Sequence, residues 1–371
     1  MIDLAIINRG FRSQHEELLQ FAEIAARDNS VVVLAQSNDD LAGHMKRIGR
    51  GKGVTFQNCK SYSNSRSKVI MRVAEAAFFM LWVFVTLLRL RPRKIYVSTD
   101  PPIIVAYVVA IYCRLTNAQF VYHVQDIHPE IANVMLTLNK WVLNFFKIID
   151  NYTLRNADSI ITLTEEMRDC IRIRSKTLKQ IHLIENPGPN IQLVDKRDQD
   201  IIFCGNAGRF NHIPLLLEAI KTYLERGGIM NFTFAGGGIH ISSIKKLSDA
   251  RSEVKYMGNL TVLEAAVLVS RHRWALLPLE DEVTLYAFPS KSSTYVQCKT
   301  PIIGICGKNT SVGRWIEMNQ IGLVCQPELE ALVNCLFNLE KSEFKYNFAE
   351  KLVNDLSYSR FTEKLNNVIF S

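Results

Sequence analysis

The 371 residues are 48% hydrophobic and 22% charged, with a formal net charge of +8. That composition excludes a disordered chain, and the length is enough for two domains with filled cores. Low-complexity tracts and repeats at solenoid periods are absent, which removes fibrous and solenoid architectures. Eight cysteines are scattered, without a C-x-x-C or a Cys/His set at zinc spacing. Most fall in apolar segments, where a free thiol acts as a small hydrophobe, so a reducing compartment is the economical reading.

The opening MIDLAIINRG has no basic start and is interrupted by Asp3 and Arg9, so it reads as a buried strand over 4–8 and not as a signal peptide. The loop NRGFRSQ (8–14) then carries Arg9 and Arg12. A helix follows over 14–27 with Leu18, Leu19, Ala22 and Ala25 on one face, and then a strand over 31–35.

Between Lys46 and Lys94 there are twelve Lys/Arg and one acid, Glu75. Inside this basic stretch the run 76–88 is apolar except for Thr86, shorter than the roughly twenty residues of a bilayer span. A buried crossover helix accounts for part of it. Phe78, Phe79, Trp82 and Phe84 face different directions on a helix, however, and cannot all point to one sheet. Arg72 precedes the run, and Arg89, Arg91 and Arg93 follow it. Each cation near an anionic membrane is worth about 1 kcal/mol, so about five of them would support reversible binding once apolar groups insert. Nucleic acid is the rival partner, and it would favour aromatics interleaved with the charges. An anionic membrane surface is the expected partner, and nucleic acid is not expected.

Strands over 94–98, 120–124, 160–164 and 181–185 continue the series, with an apolar helix over 103–115. VYHVQDIHPE (121–130) gathers His123, Asp126, His128 and Glu130 at a strand end, where polar groups are costly unless paired or used. The histidines lack a helical register and no third ligand cluster is visible, so no metal is expected. A general base or a sugar-binding pair is the functional reading. A strand-capping His123 and a turn-capping Asp126 are the structural one.

ENPGPN (185–190) breaks the pattern and reads as a linker. A second alternating series follows, with strands over 201–205, 232–236, 253–258, 274–278, 301–305 and 322–326. Helices are expected over 212–226, 241–250, 261–271, 290–298 and 328–340, and across the tail 345–370. Short apolar strands alternating with helices predict α/β architecture, two parallel sheets each covered on both faces. Three turns in the second half combine a strand end with groups suited to an anion. CGNAGRFNH contributes Gly205, Gly208 and Arg209; FAGGGIH contributes Gly236 and Gly237; FPSK contributes Pro289, Ser290 and Lys291.

The ordered set STDPPIIVA, HVQDIHPE, ADSIITLTEEMRD, LIENPGPN, FCGNAGRFNHIPLLLEAI, FAGGG, YMGNLTVLEAAVLV and FPSKSSTYVQCKTPIIG resembles the GT-B-fold glycosyltransferases of the retaining family four, in their bacterial surface-polysaccharide branch. The resemblance runs nearly the full length. It implies two doubly wound, Rossmann-like domains facing across a cleft. An acceptor domain over 1–186 would face the membrane, with 345–371 packing back on it, and a donor domain would cover 187–344. It implies a nucleotide-sugar donor, usually UDP-linked, and a lipid-pyrophosphate-linked saccharide acceptor in O-antigen or capsule assembly. It also implies no metal or other cofactor, and a peripheral place on the cytoplasmic face of the plasma membrane.

By the same resemblance, Gly258, Asn259 and Leu260 meet the base. Pro289, Ser290 and Lys291 lie at the phosphates with Gly205, Asn206, Gly208, Arg209, Gly236 and Gly237. His123 holds the transferred sugar and Asp126 acts on the acceptor, while Arg9, Arg12 and Glu130 are acceptor or phosphate candidates. The chain departs from the pattern where family members carry an Arg and a Lys on the diphosphate, here Asn206 and Asn211. Thr294 stands where many carry a ribose-binding Glu. A ribose hydrogen bond to a carboxylate is worth about 1.5–3 kcal/mol, so donor affinity falls unless Thr294 or Glu282 substitutes. The departures keep open a non-catalytic partner subunit of the same fold, and a UDP-sugar epimerase shares the architecture as well.

Overall fold

The computed structural model describes residues 2–11, 15–62, 69–193, 197–341 and 346–370. The chain forms two compact units, Met1–Glu185 with Phe361–Ser371, and Asn186–Arg360.

In the first unit β1 (Leu4–Ile7) leads to α1 (Glu16–Ala25), β2 (Val31–Gln36), α2 (Leu41–Arg47), β3 (Val54–Cys59) and the long α3 (Val69–Leu90). Then come β4 (Lys94–Ser98), α4 (Ile104–Thr116), β5 (Gln119–Val124), α5 (Glu130–Leu136), α6 (Lys140–Asn156), β6 (Ser159–Thr162), α7 (Glu165–Ser175) and β7 (Gln180–Leu183). The seven strands are parallel in the order β3-β2-β1-β4-β5-β6-β7. The order reverses between β1 and β4, so the carboxyl ends of these two strands form the switch point where such sheets bind ligands. β1, β2 and β4 are buried on both faces, and their centres are apolar runs, LAII, VVVLA and IYV. β3 is absent from the strands predicted by sequence. It is an edge strand, half solvated, and its VTFQNC alternates polar with apolar.

Right-handed crossovers place α3, α4, α6 and α7 on one face of this sheet, with α4 between α3 and α6. α3 is continuous over 22 residues, longer than its purely apolar run. Its stretch Ile70–Leu90, of mean hydropathy 1.9, is long and apolar enough to cross a membrane by length and composition. Yet Glu75, Phe79, Val83, Thr86 and Leu87 are buried, so one stripe of α3 belongs to the core. Phe79, expected at the membrane, is therefore a core residue, and Trp82 is half-buried and stacked on it at 5.9 Å. Phe78, Arg72, Arg89, Arg91 and Arg93 are exposed.

In the second unit β8 (Gln199–Cys204), α8 (Ile213–Glu225), β9 (Phe232–Ala235), α9 (Ile241–Ala250), β10 (Val254–Tyr256), α10 (Val262–Ser270) and β11 (His272–Pro278) follow in turn. A 3-10 turn at Asp281–Leu285 precedes α11 (Lys291–Gln297), β12 (Ile302–Ile305), α12 (Ser311–Met318), β13 (Gly322–Cys325), α13 (Leu329–Glu340) and α14 (Glu350–Asp355). The sheet is parallel, in the order β10-β9-β8-β11-β12-β13, with its reversal between β8 and β11. The core is built on Phe203, Phe232, Phe234, Tyr223 and Trp274.

The tail divides between the units, where the sequence predicts a single return to the first. α14 stays with the second unit, since Gln297 Nε2 donates to the Val353 carbonyl at 2.6 Å and the Gly188 amide to that of Leu356 at 2.9 Å. The last helix, α15 (Tyr358–Phe370), packs Phe361, Leu365 and Ile369 into the core of the first unit beside Leu18, Phe21 and Tyr96.

Candidate functional site

At the carboxyl ends of β8, β9 and β10 three glycine turns stack on one another. The Gly205 amide donates to the Ala235 carbonyl at 2.9 Å, that of Ala207 to Gly237 at 2.7 Å, and that of Gly236 to Gly258 at 2.7 Å. Tyr256 Oη donates to the Gly236 carbonyl at 2.9 Å. A Cβ on Gly236 would lie 2.1 Å from the Gly205 oxygen, and one on Gly238 would lie 2.4 Å from the Ala207 oxygen. Gly236 and Gly238 are thus required by the neighbouring turn. A Cβ on Gly258 would meet nothing within 4 Å, one on Gly237 would meet only Asn259 Oδ1 at 3.2 Å, and one on Gly205 only Lys291. Gly258 faces open space, whereas Gly205 and Gly237 meet one side chain each and no backbone.

Lys291 sets the electrostatics here. It opens α11, and its Nζ is buried with no hydrogen-bond partner among the described residues. The ammonium lies 4.4 Å from the centroid of the Phe203 ring and 4.0 Å from where a Gly205 Cβ would sit. Burial lowers its pKa from 10.5 to about 8. The neighbouring Cys204 thiol is raised to about 11 by burial and so brings no negative charge. A buried ammonium without a counter-charge is costly, and an anion seated at the Gly205 turn would offset that cost.

The Asn at the expected Lys position works differently. Asn211 is buried, its Nδ2 donates to the Pro278 carbonyl at 3.0 Å, and its Oδ1 accepts from the Gly208 amide at 3.2 Å. Asn211 therefore ties the turn to β11, and the Gly208 amide is already used. Asn206 and Arg209 are exposed. His212, at the start of α8, has a buried Nε2 without a partner among the described residues, a second unsatisfied polar group on this turn. Ser290 is exposed, Pro289 and Thr294 are half-buried, and Leu260 and Glu282 lie at the surface or partly so. Ser293 Oγ donates to the Asn186 carbonyl at 2.5 Å, anchoring α11 to the start of the unit.

In the first unit the switch-point loops are cross-tied. The Gly10 amide donates to Asp100 Oδ2 at 2.9 Å, and Asn8 Nδ2 to Ser98 Oγ at 3.0 Å. Thr99 Oγ1 accepts from the amides of Gln125 and Asp126 at 3.3 and 3.4 Å. Asp126 is half-buried, burial raises its carboxyl to about 6, and no side-chain partner is found for it among the described residues. It has the character of a base held ready near neutral pH.

Three other candidates are committed elsewhere. His123 is fully buried, its Nδ1 is 2.6 Å from Tyr96 Oη, and burial lowers it to about 3. Its Nε2 is buried with no hydrogen-bond partner among the described residues, and the ring has no exposed surface on which the expected sugar could rest. Glu130 carries Arg174 and, at 3.5 Å, Lys147. Arg174 also pairs with Asp150 and donates to the His128 carbonyl at 2.8 Å, so Glu130 belongs to a buried ionic cluster and is not free for an acceptor. Arg9 donates to Gln36 Oε1 at 2.6 Å and pairs with Glu75 of α3 at 3.3 Å, which uses its guanidinium to hold α3. Arg12 lies outside the described residues. Glu17 on α1, whose carboxyl burial raises to about 7, escapes a reading by motif; its apolar neighbours on the helix are the only hint. Among the described residues no His/Cys/Asp/Glu group is arranged to hold a metal.

No family model and no curated protein matches the chain. Solved structures do match. Sucrose-phosphate synthase from Thermosynechococcus elongatus aligns with TM-score 0.71 and 14% identity over 99% of this chain and 98% of that one. Anabaena HepE, in complex with UDP and glucose, aligns with TM-score 0.70 and 12% identity over the full length of both. The apo lipopolysaccharide outer core galactosyltransferase WaaB aligns with TM-score 0.64 and 14% identity over 100% and 99%. A UDP-GlcNAc 2-epimerase from Methanocaldococcus jannaschii shares the architecture too, at TM-score 0.60 and 12% identity over 100% and 99%. Two parallel-sheet, Rossmann-like units in this order give the chain the fold of the GT-B glycosyltransferases.

Proposed function

We propose that the protein is a glycosyltransferase that takes a sugar from a nucleoside-diphosphate sugar, UDP-linked, and passes it to a saccharide carried on a lipid pyrophosphate, in bacterial surface-polysaccharide assembly. The observation that carries the reading is Lys291, a buried ammonium with no hydrogen-bond partner or counter-charge among the described residues, set against the Gly205 turn. It supplies the cation missing at Asn206 and Asn211. The diphosphate binds there, with Ser290 and Arg209 at its exposed side and Gly258, Asn259 and Leu260 toward the base. As the bond from the anomeric carbon to phosphate breaks, the electron pair leaves with the nucleotide, and Lys291 neutralises the growing phosphate charge. The acceptor hydroxyl forms the new bond to that carbon and its proton passes to Asp126 or to the departing phosphate. No divalent ion is required for these steps. HepE, solved with UDP and glucose, supports the donor class, and WaaB, a lipopolysaccharide outer core galactosyltransferase, supports a surface-polysaccharide acceptor by analogy of fold alone.

Incubation with a panel of UDP sugars and a synthetic lipid-pyrophosphate saccharide tests this, and sugar appearing on the lipid is expected. Epimerised or free sugar formed without acceptor would indicate an epimerase. A folded protein that neither turns over nor binds UDP would be a partner subunit, the reading that Asn211, with its structural role, keeps in play.

A further inference from the structure

We propose that α6 forms, together with α3, a lipid-facing platform on the first unit, and that its occupant is an anionic phospholipid surface. This deepens the lipid-acceptor reading and rests on it. α6 has no part in the expectations drawn from sequence, which place the membrane contact on α3 alone.

The outward face of α3 is an apolar stripe at helical spacing, with Ile70, Leu81, Val85 and Leu88 between 81% and 45% exposed. α6 turns a second stripe outward, Trp141, Phe145 and Ile148 at i, i+4 and i+7, exposed by 83, 58 and 69%. Leu136, just before α6, is exposed as well. α4 lies between the two helices and is locked to α6 by the Tyr107–Tyr152 ring contact at 5.5 Å. At its own C-terminal end α4 exposes Leu115 by 71%. Soluble monomers rarely leave large apolar side chains exposed across three neighbouring helices.

Charge selects the occupant. The three helices contain only two acids, Glu75 and Asp150, and both are buried. All three helices run antiparallel to the strands, so their C-terminal ends come out at one edge. That end carries Arg89, Arg91, Arg93, Arg114 and Arg155, all exposed, against Asp3, which pairs with Arg93 at 3.6 Å, and Asp158, so its balance is positive. A groove of about 590 Å³ opens there between the ends of α3 and α4, lined by Leu88, Arg91, Arg93 and Tyr112 among others. Apolar side chains beside arginines and a groove of that size suit acyl chains beside a phosphate headgroup. Because the opposite stripe of α3 packs into the core, α3 lies on the bilayer and does not cross it.

Flotation of the full-length protein with phosphatidylcholine vesicles containing phosphatidylglycerol tests this. The wild type should float at low salt, be released by alkaline carbonate, and float poorly with phosphatidylcholine alone. The α6 double variant W141S/F145S should lose roughly tenfold or more of its partition into vesicles. It should keep the wild-type melting temperature and UDP affinity, which separates failure of this face from failure of the donor site. Trp141→Phe should retain flotation. Three results would overturn the proposal: flotation of W141S/F145S equal to wild type, resistance to carbonate extraction, or a wild-type dimer that W141S/F145S converts to monomer.

Discussion

Lys291 makes opposite predictions for stability and for binding. Its folded pKa of about 8 lies below its unfolded value of 10.5, so the unfolded chain holds more protons between these pH values. The penalty of burying the ammonium is complete below pH 8 and fades as pH rises toward 10.5, by about 3 kcal/mol for a shift of this size. Lys291→Met should therefore raise the melting temperature of the ligand-free protein at pH 7 and flatten its rise above pH 8. Donor affinity of the wild type should fall as pH climbs past 8, where the charge is lost. A variant that melts lower than wild type at pH 7 would show that the ammonium is already compensated. Asp126 gives the second profile. With its carboxyl raised to about 6, turnover should increase with pH through that value and then level off. Asp126→Asn should lower kcat by about 10²–10⁴ with donor affinity unchanged.

At the level of elements, the glycine turns separate packing from binding. Gly236→Ala puts a methyl 2.1 Å from the Gly205 carbonyl at a φ of +118°. It should destabilise the second unit by more than about 2 kcal/mol in chemical denaturation and misplace the donor turn. Gly258→Ala, at a φ of +75° with nothing nearby, should cost only about 1 kcal/mol. Buried strands such as LAII and VVVLA are legible in sequence because both faces are covered, and the signal is a plain apolar run. β3 is not, because one edge of it meets solvent, and α6 is not, because its apolar residues face outward. Of the site, PSK is legible as a charge beside a turn. His123 and Glu130 mislead because residue type does not report burial. Their neighbours Tyr96 and Arg174, which decide the matter, are 27 and 44 positions away.

On the scale of the molecule, each unit closes its own core around its own parallel sheet, and the chain ends by returning α15 to the first. Leu365 is completely buried there, so Leu365→Ala should cost the first unit about 2–5 kcal/mol, read as an earlier unfolding step. UDP should not restore that step, because the donor groups belong to the second unit. The central claim is that Lys291 receives the diphosphate of a nucleotide sugar. Calorimetric titration of UDP into wild type and Lys291→Met at pH 7 measures it most directly. Saturable binding to the wild type, weakened at least about tenfold in a Lys291→Met protein that remains folded, is the predicted result. Equal affinities in the two proteins, or no binding to a folded wild type, would contradict it.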